Sequence, residues 1–448
     1  MRTLLLIEDD IDVRSVLAAL LRRQGWQVLE AETGDAGLDL ARKHRPQAIL
    51  CDLLMPGTNG FRVFSTLRAD RTLRHSFLVA MSGRCFEDTR RSALESGADE
   101  FLAKPIDPDS LLSLLDNIRA PQEPPRRLDL DLDPTVPTDS TPWLRFWGVR
   151  GSTPVPGPDT VHYGGNTACV EVRVDGQLLI LDAGTGLRPL GEALSEEFGS
   201  RPLRATLLVT HAHWDHVHGF PFFKPVYEAS TQLRVMGFET AGEGLASVFA
   251  RQMDAPYFPL SLAQLPARVE FEELGTMEFF VGDIKVRATF VNHPGVCVGY
   301  RLEAPGLSMA YLPDHEPFQR TCLSCNSANA PSEETLNFAL GEDERIRRFV
   351  EGVDVLILDS QFEAEEYHER VGWGHSSVDD ALDLAARAGV KRLFLFHHDP
   401  SHTDMRMDQL VKYARERAAR ISPNLIVEAA REGVKVQFAS KATALSRP

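Results

Sequence analysis

Short apolar runs alternate with amphipathic stretches over the first part of the chain. Thr3–Ile7, Ala48–Cys51 and Phe77–Met81 are mostly apolar and have the length of buried parallel strands. Between them, Asp12–Gln24 and Gly34–Lys43 carry apolar residues at the spacing of one helix face. This alternation predicts an α/β domain with a doubly wound, five-stranded parallel sheet, whose ligands collect at the carboxyl ends of the strands.

The pattern changes after residues 121–142, which are rich in Pro and Asp and show no sustained period. Such a stretch predicts an extended linker between a domain over residues 1–120 and a second over residues 143–448. The second domain is rich in predicted strands, and a strand–helix alternation returns toward its end with a helix near Ser377–Ala388. The predicted strands are Ala168–Val174, Leu178–Leu181, Ala205–Thr210, Lys285–Phe290, Leu307–Tyr311, Val353–Leu358 and Arg392–Phe396.

Composition limits the classes of protein to which the chain can belong. With 43% hydrophobic and 25% charged residues it has the balance of a folded globular protein. No apolar run approaches the ~18 residues of a membrane helix, and MRTLLLIEDD reaches acidic residues too early for a signal peptide. The net charge is −16, and six scattered cysteines do not make a disulfide framework. We therefore expect a cytoplasmic protein with no membrane partner.

Polar residues follow several predicted strands of the first domain. Glu8 and Asp9 follow the first, Asp52 follows the third, and Ser82 and Lys104 follow the next two. Clustered carboxylates bind Mg²⁺ through oxygen, and a nearby lysine and hydroxyl can hold a phosphoryl group formed on a carboxylate. The sequence therefore predicts a magnesium-dependent phosphorylation site at this edge of the sheet.

This part of the chain resembles the receiver domain of two-component response regulators. The motifs that carry the resemblance are IEDD at 7–10, DLLMPGTNG at 52–60, AMSG at 80–83 and ADEFLAKP at 98–105. It implies that a sensor histidine kinase supplies the phosphoryl group and that Asp52 is phosphorylated. The residues that it implies for Mg²⁺ binding and for switching are Glu8, Asp9, Asp52, Ser82, Phe101 and Lys104.

Four side chains that can bind metal lie within six residues directly after the predicted strand ATLLVT. They are His211, His213, Asp215 and His216. On a loop that leaves a strand, such side chains can converge on two adjacent metal ions. Imidazole and carboxylate ligands suit Zn²⁺ best, and Mn²⁺ or Fe also.

Further ligand candidates follow later strands, namely His293, Asp314 and His397. Together with the histidine-rich loop they resemble the metallo-β-lactamase fold, an αβ/βα architecture. The resemblance implies that Asp314 bridges two metal ions. One metal would be held by His211, His213 and His293, and the other by Asp215, His216 and His397.

Three other histidines lie near these ligand candidates in the sequence. His398 is adjacent to His397 and is the alternative ligand at that position. His218 and His315 have no place in the pattern that the resemblance implies, so we interpret them as supporting or surface groups.

Two metals about 3.5–4 Å apart can bridge a water, lower its pKa and stabilise charge on a phosphoryl group. Asp215 can orient the attacking hydroxide while it binds metal. His375, in GWGHSS, resembles the histidine that processing nucleases place near the scissile phosphate; a structural loop histidine is the alternative. Substrate contacts are predicted at Thr153, Asn166 and Thr167, although such residues often only form turns.

The motifs WGVRGS, GGNT and NHPGVCVGYRL resemble the phosphodiesterase side of the superfamily. That side includes tRNA 3′-processing nucleases and cyclic-nucleotide phosphodiesterases, and the WGVRGS…GGNT segment is most similar to the latter. Between His216 and His293 there are 9 acidic and 6 basic residues, so no basic arm for nucleic acid is expected. A small phosphodiester is therefore the expected substrate, and nucleic acid is not.

The sequence thus predicts a two-component-regulated, dinuclear metal phosphodiesterase acting on a small cyclic nucleotide and controlled through Asp52. The alternatives are a nuclease or another ester hydrolase on the same metal site, and a metal-binding signalling module without turnover. A homodimer is compatible with both domain types.

Two features of the sequence are compatible with more than one interpretation. Cys322 and Cys325 form a single CxxC, which lacks the second pair of a structural zinc site; a reduced pair without function and a redox or metal role are both compatible with it. A helix predicted over Asp107–Arg119 carries more apolar residues than one core face needs. Either a partner surface or complete burial would explain that excess.

Overall fold

The computed structural model divides into two compact units, Met1–Pro124 and Pro125–Pro448. Cys325 and most of the helix predicted over Asp107–Arg119 lie outside the described residues. The residues that the structure describes are 3–23, 25–53, 55, 58–70, 73, 76–82, 92–94, 96–104, 111, 114–115, 127–128, 141–238, 244–274, 276–324 and 333–438.

The first unit contains the predicted five-stranded parallel sheet, with strand order β2-β1-β3-β4-β5. The strands are β1 Thr3–Ile7, β2 Gln27–Ala31, β3 Ala48–Asp52, β4 Phe77–Ser82 and β5 Glu100–Ala103. The helices described in this unit are Ile11–Arg23, Gly34–His44 and Gly60–Ala69. In β1, Leu4 and Leu6 pack on one side of the sheet and Leu5 and Ile7 on the other. Burial on both faces explains the continuous apolar runs and confirms the doubly wound class.

The second unit consists of two sheets packed face to face, with helices on the outside. One sheet has the order β12-β11-β10-β9-β8-β7-β20 and the other the order β19-β18-β17-β16-β15-β14-β13-β6. The strands are β6 Arg127–Leu128, β7 Trp143–Gly148, β8 Cys169–Val174, β9 Gln177–Leu181, β10 Leu203–Leu208, β11 Thr231–Gly237, β12 Arg268–Glu273, β13 Glu278–Val281, β14 Ile284–Phe290, β15 Val298–Ala304, β16 Leu307–Leu312, β17 Val355–Asp359, β18 Arg392–Phe396, β19 Ile426–Ala429 and β20 Lys435–Gln437. The α-helices are Leu187–Phe198, Trp214–Val217, Leu245–Gln252, Phe318–Ser324, Glu333–Phe349, Ala364–Tyr367, Val378–Arg387 and Asp404–Ile421.

Alternation along the central strands builds these layers. In β17, Val355 and Ile357 pack into the core between the two sheets, whereas Leu356 and Leu358 pack against the outer helices. A strand with two buried faces reads as an uninterrupted apolar run, which is why β17 was predicted as a strand. The layer order is the αβ/βα architecture expected for residues 143–448.

Several predicted bounds differ from the observed ones by one or two residues, and two differences have a clear physical reason. The strand predicted over Ala205–Thr210 ends at Leu208, because the Asp182 carboxylate accepts both the backbone N–H and the hydroxyl of Thr210. Arg127–Leu128, within the predicted linker, forms β6 and pairs with β13. A strand of two residues is too short to leave a period in the sequence.

None of the helices in the described ranges is long and apolar enough to cross a membrane.

Candidate metal centre

Loops that follow β10, β14, β16 and β18 converge at one place in the second unit. Because strands β16, β17 and β18 are parallel neighbours, their carboxyl ends meet at the same edge of the sheet. The structure brings together all seven residues predicted to bind metal in this domain. They are His211, His213, Asp215, His216, His293, Asp314 and His397.

Four potential ligand atoms lie close together around Asp215. They belong to Asp215, His216, Asp314 and His397. His216 Nε2 lies 3.0 Å from Asp314 Oδ1, 3.3 Å from Asp215 Oδ2 and 3.4 Å from His397 Nε2. His397 Nε2 lies 3.1 Å from Asp215 Oδ2 and 3.4 Å from Asp314 Oδ1. Ligands about 2.0–2.1 Å from a tetrahedral Zn²⁺ lie about 3.3 Å apart, so this group, the second ligand set, has the spacing of a metal site.

The first ligand set faces the other oxygen of Asp314. Asp314 Oδ2 lies 3.7 Å from His211 Nε2 and 3.7 Å from His293 Nε2, and His293 Nε2 lies 3.0 Å from His213 Nδ1. Within the described part of the chain, His211 Nε2 is buried without a hydrogen-bond partner. A buried polar atom of this kind normally has a partner, so its orientation fits a pair of metal ions with Asp314 between them.

Neighbouring groups hold four of the five imidazoles at Nδ1 and leave Nε2 facing the centre. Such contacts orient the ring and raise the basicity of the ligating nitrogen. Asp182 and Gln361 were not predicted from the sequence. The pairs are His211 with Thr210 Oγ1 at 3.1 Å, His216 with Asp182 Oδ2 at 2.8 Å, His293 with Gly374 O at 3.0 Å and His397 with Gln361 Oε1 at 3.2 Å.

The electrostatics of the two sets differ. Burial lowers the pKa of His293 to about 4 and that of His211 well below its usual range, so both rings are neutral and offer a lone pair. Burial also acts to lower the pKa of His216, but the carboxylates of Asp314, Asp215 and Asp182 raise it well above its usual range. The second set therefore has an excess of negative charge that a divalent cation would neutralise.

His375 lies beside both ligand sets. Its Nδ1 lies 2.7 Å from Asp359 Oδ2, and its ring stacks on that of His397 with centroids 4.8 Å apart. Burial acts to lower the pKa of His375, but Asp359 and Asp314 raise it to about 9. His375 is also close enough to His293 and Asp314 to join a ligand set. Asp359, which ends β17, was missed in the sequence.

The neighbouring histidines point elsewhere. His398 Nε2 lies 2.9 Å from the carbonyl of Ala430, so His397 is the one that faces the centre. His315 is buried, and its carbonyl accepts a hydrogen bond from Ser376. His218 Nδ1 lies 2.7 Å from the carbonyl of Trp214.

The segment from Arg150 to Ser152 positions the second ligand set. Arg150 is fully buried and donates to the carbonyls of Asp399 and His402, which fixes the loop after β18. The Ser152 N–H donates to Asp215 Oδ2 at 2.7 Å. A Cβ on Gly151 would lie 2.3 Å from His397 Nδ1, so only glycine fits between this segment and the ring.

Gly151→Ala should therefore displace His397. We expect the metal content to fall from two ions toward one per chain, and turnover to drop about 10–100-fold, as for loss of an outer partner of a ligand. Elemental analysis and initial rates measure both quantities. Gly157→Ala is the matched control, because its Cβ would meet nothing within 4 Å. Two bound metals and full turnover in Gly151→Ala would show that this contact does not position the site.

The predicted substrate contacts are only partly available. Thr153 is exposed. The Asn166 side chain donates to Glu432 Oε2 at 3.0 Å, and Thr167 is fully buried with its Oγ1 accepting the N–H of Thr185. The buried Thr167 hydroxyl stabilises its loop, and a substrate contact at Thr167 stays a prediction.

In the first unit the predicted phosphorylation site is assembled. Lys104 Nζ lies 2.6 Å from Asp52 Oδ2 and 2.7 Å from Glu8 Oε2. Burial, together with the charge of Asp52, raises the pKa of Glu8 despite the contact with Lys104. Ser82 is buried at the end of β4, Phe101 is half-buried on β5, and Asp9 is exposed after β1. These positions fit a magnesium ion between the carboxylates and a phosphoryl group on Asp52.

Comparison with known proteins yields two family matches. The response regulator receiver domain matches residues 4–116, and the beta-lactamase superfamily domain matches residues 178–329.

Curated relatives align with the first unit. The transcriptional regulatory protein AfsQ1 of Streptomyces coelicolor is 39% identical over 106 residues, which are 24% of this chain and 46% of AfsQ1. Protein PilH of Pseudomonas aeruginosa is 32% identical over 120 residues, which are 27% of this chain and 99% of PilH. The chain thus spans about half the length of AfsQ1 and almost all of PilH.

Solved structures align with about two thirds of the chain. The metallo-beta-lactamase fold protein YhfI from Bacillus subtilis is 16% identical with a TM-score of 0.43, covering 66% of this chain and 100% of YhfI. A diphosphatase from the PhnP family is also 16% identical with a TM-score of 0.43, covering 67% of this chain and 98% of that chain. Human tRNase Z, short form, is 16% identical with a TM-score of 0.42, covering 66% and 99%.

Proposed function

We propose, from its membership of the response regulator family and its beta-lactamase superfamily domain, that the chain is a dinuclear metal phosphodiesterase. The receiver domain would control its activity. The observation that carries the proposal is the position of Asp314. Its Oδ1 faces the second ligand set and its Oδ2 faces the first. A carboxylate between two ligand sets suits a hydrolytic site with two metal ions close together.

When bound, two divalent ions supply Lewis-acid stabilisation of the phosphoryl oxygens and lower the pKa of water. The residues around them divide the remaining tasks. Asp215, held by the Ser152 N–H, orients the attacking water toward phosphorus. His375, held by Asp359, donates a proton to the leaving alkoxide or a hydrogen bond to a phosphoryl oxygen. Burial of both side chains excludes competing water.

We propose a small cyclic nucleotide as substrate. The resemblance of the WGVRGS…GGNT segment supports this class, and the acidic excess between His216 and His293 disfavours a long polyanion. Zn²⁺ suits a donor set of five imidazoles and two carboxylates, and Mn²⁺ or Fe are the alternatives.

Hydrolysis of bis(p-nitrophenyl) phosphate, with and without chelator, tests the proposal. A panel of 3′,5′-cyclic nucleotides and linear dinucleotides then identifies the diester. Chelator-sensitive turnover of a cyclic nucleotide is the expected result. Turnover of the aryl ester but of no cyclic nucleotide would favour the nuclease or other ester hydrolase. Two bound metals without any turnover would favour a signalling module.

Phosphorylation of Asp52 should change the catalytic efficiency of the hydrolase. Contacts of Lys104 with Asp52 and Glu8 support a receiver site that takes Mg²⁺ and a phosphoryl group from a sensor histidine kinase. Phosphorylation can shift the equilibrium between two conformations only by as much as it stabilises one more than the other. We therefore expect kcat/KM to change about 5–150-fold, in either direction.

The measurement compares kcat/KM and oligomeric state before and after treatment with acetyl phosphate or beryllofluoride and Mg²⁺. Asp52→Ala should not respond, whereas Asp39→Ala, on the exposed side of the helix Gly34–His44, should respond like the wild type. Equal kcat/KM and an unchanged oligomeric state in all forms would contradict direct control by the receiver.

A further inference from the structure

Two tryptophans stand exposed beside the first ligand set. Trp214 exposes 74% of its surface and Trp373 exposes 60%, whereas Trp26 in the first unit is 5% exposed. Indole is among the largest apolar side chains, and exposed aromatic groups next to a functional centre mark a binding surface.

Trp214 is fixed by the ligands on either side of it. It lies between His213 and Asp215 and begins the short helix Trp214–Val217. Its ring centroid lies 6.3 Å from that of His218, whose Nδ1 contacts the Trp214 carbonyl. His218 in turn lines a pocket of about 400 Å³, with Asn166 and Phe222 also in its wall. Trp214 itself does not line this pocket, and its indole faces solvent with 74% of its surface exposed.

Trp373 is presented by a turn that the structure holds in place. Gly372 and Gly374 have φ values of +90° and +88°, which favour glycine. Glu316 is buried and accepts the N–H groups of both glycines, at 2.8 and 2.9 Å. The Gly374 carbonyl lies 3.0 Å from His293 Nδ1, so the turn is bound to a ligand candidate and its outward residue is Trp373.

Trp214 and Trp373 are both connected to the first ligand set. Trp214 is adjacent to His213, Trp373 is joined through Gly374 to His293, and the ring nitrogens of these two histidines are 3.0 Å apart. His213 is also the exposed member of its set, so this side opens to solvent. A substrate group that extends from the phosphoryl group over the first ligand set would come close to the segments that carry the two exposed indoles.

We infer that Trp214 and Trp373 bind the base of a nucleotide whose phosphoryl group occupies the metal centre. The inference rests on the proposed function and deepens it by assigning the residues that bind the base of the substrate. A metal centre selects a phosphoryl group, and indole faces select a planar ring; a nucleotide has both. Purines should bind more tightly than pyrimidines, because their larger ring system offers more surface for stacking. Because stacking does not read the edge of the base, no strict selection among the purines is expected.

The experiment compares two probes that differ only in the base. Adenosine 5′-monophosphate and ribose 5-phosphate are titrated by calorimetry into the full chain loaded with Zn²⁺ or Mn²⁺. Wild-type protein should bind the nucleotide about tenfold or more tightly than the sugar phosphate, a ratio in the range of one stacked base. Trp214→Ala and Trp373→Ala should each reduce this ratio, and the double variant should bring it near one. Trp→Phe variants keep a ring and should retain most of it.

Tyr413→Ala is the control, because it removes a partly exposed aromatic ring from the helix Asp404–Ile421. Elemental analysis and circular dichroism show that each variant keeps its metals and its fold. Equal affinity for both probes in the wild type, or a ratio that survives in the double variant, would overturn the inference. A base preference that depends on both tryptophans, in a protein that hydrolyses no phosphodiester, would support the inference and refute the proposed function.

Discussion

Asp314→Ala is expected to lower phosphodiester hydrolysis by roughly 10³-fold or more, since several kcal/mol of metal-derived stabilisation depend on both ions. Among the described residues, Asp314 has one oxygen facing each of the two ligand sets. If it bridges two metal ions as proposed, its loss would leave both ions without a shared anionic ligand. Metal content should fall below two ions per chain as turnover disappears. Asp215→Ala should also abolish turnover, but it should lower the occupancy of the second ligand set only.

Initial rates on bis(p-nitrophenyl) phosphate and elemental analysis of the same samples measure this effect. Asp354→Ala is a suitable control, because Asp354 forms an ion pair with the exposed Lys391 away from the ligand sets. Such a pair contributes at most about 1 kcal/mol to stability. An Asp314→Ala variant with two bound metals and wild-type turnover would show that the ligand assignment is wrong.

His375→Ala is expected to lower kcat by about 10²-fold or more while both metals stay bound. Its imidazole lies against the centre but is held by Asp359, so its removal deletes a proton donor and leaves the seven ligand candidates in place. The loss should appear in kcat more than in KM, because the donated proton matters most in the transition state.

Asp359→Asn separates donation from simple packing. The amide has the shape of the carboxylate but no charge, so the His375 ring should stay in place while its pKa falls. The loss of kcat should then lie between those of the wild type and His375→Ala. Loss of one metal ion in His375→Ala would instead identify His375 as a ligand. An unchanged kcat would return it to a structural role in its loop.

The sequence contained most of the fold because the strands are buried on both faces. β1 and β18 have the predicted bounds, since an apolar run that ends at a polar residue marks a strand well. Short edge strands such as β6 leave no such run. The choice between His397 and His398 also needed the structure, because it depends on the contact of His398 with Ala430 in a distant loop.

The ligand candidates were predictable from their own motifs, and their supporting partners were not. Asp182 and Asp359 each end an apolar run, LLILD and VLILD, at the carboxyl end of a strand. The same position led to the prediction of Asp52, so the rule applied evenly would have found both. Gln361 and Glu316 gave no such signal, since their partners lie far away along the chain.

The central claim is that two metal ions together support phosphodiester hydrolysis, and a metal titration tests it most directly. The full chain is stripped with chelator, and Zn²⁺ or Mn²⁺ is added back while hydrolysis of bis(p-nitrophenyl) phosphate is followed against ions bound per chain. We predict no turnover in the stripped protein and a rate that reaches its plateau at two ions per chain. Full turnover with one ion or none, or no turnover with two ions bound, would contradict the claim.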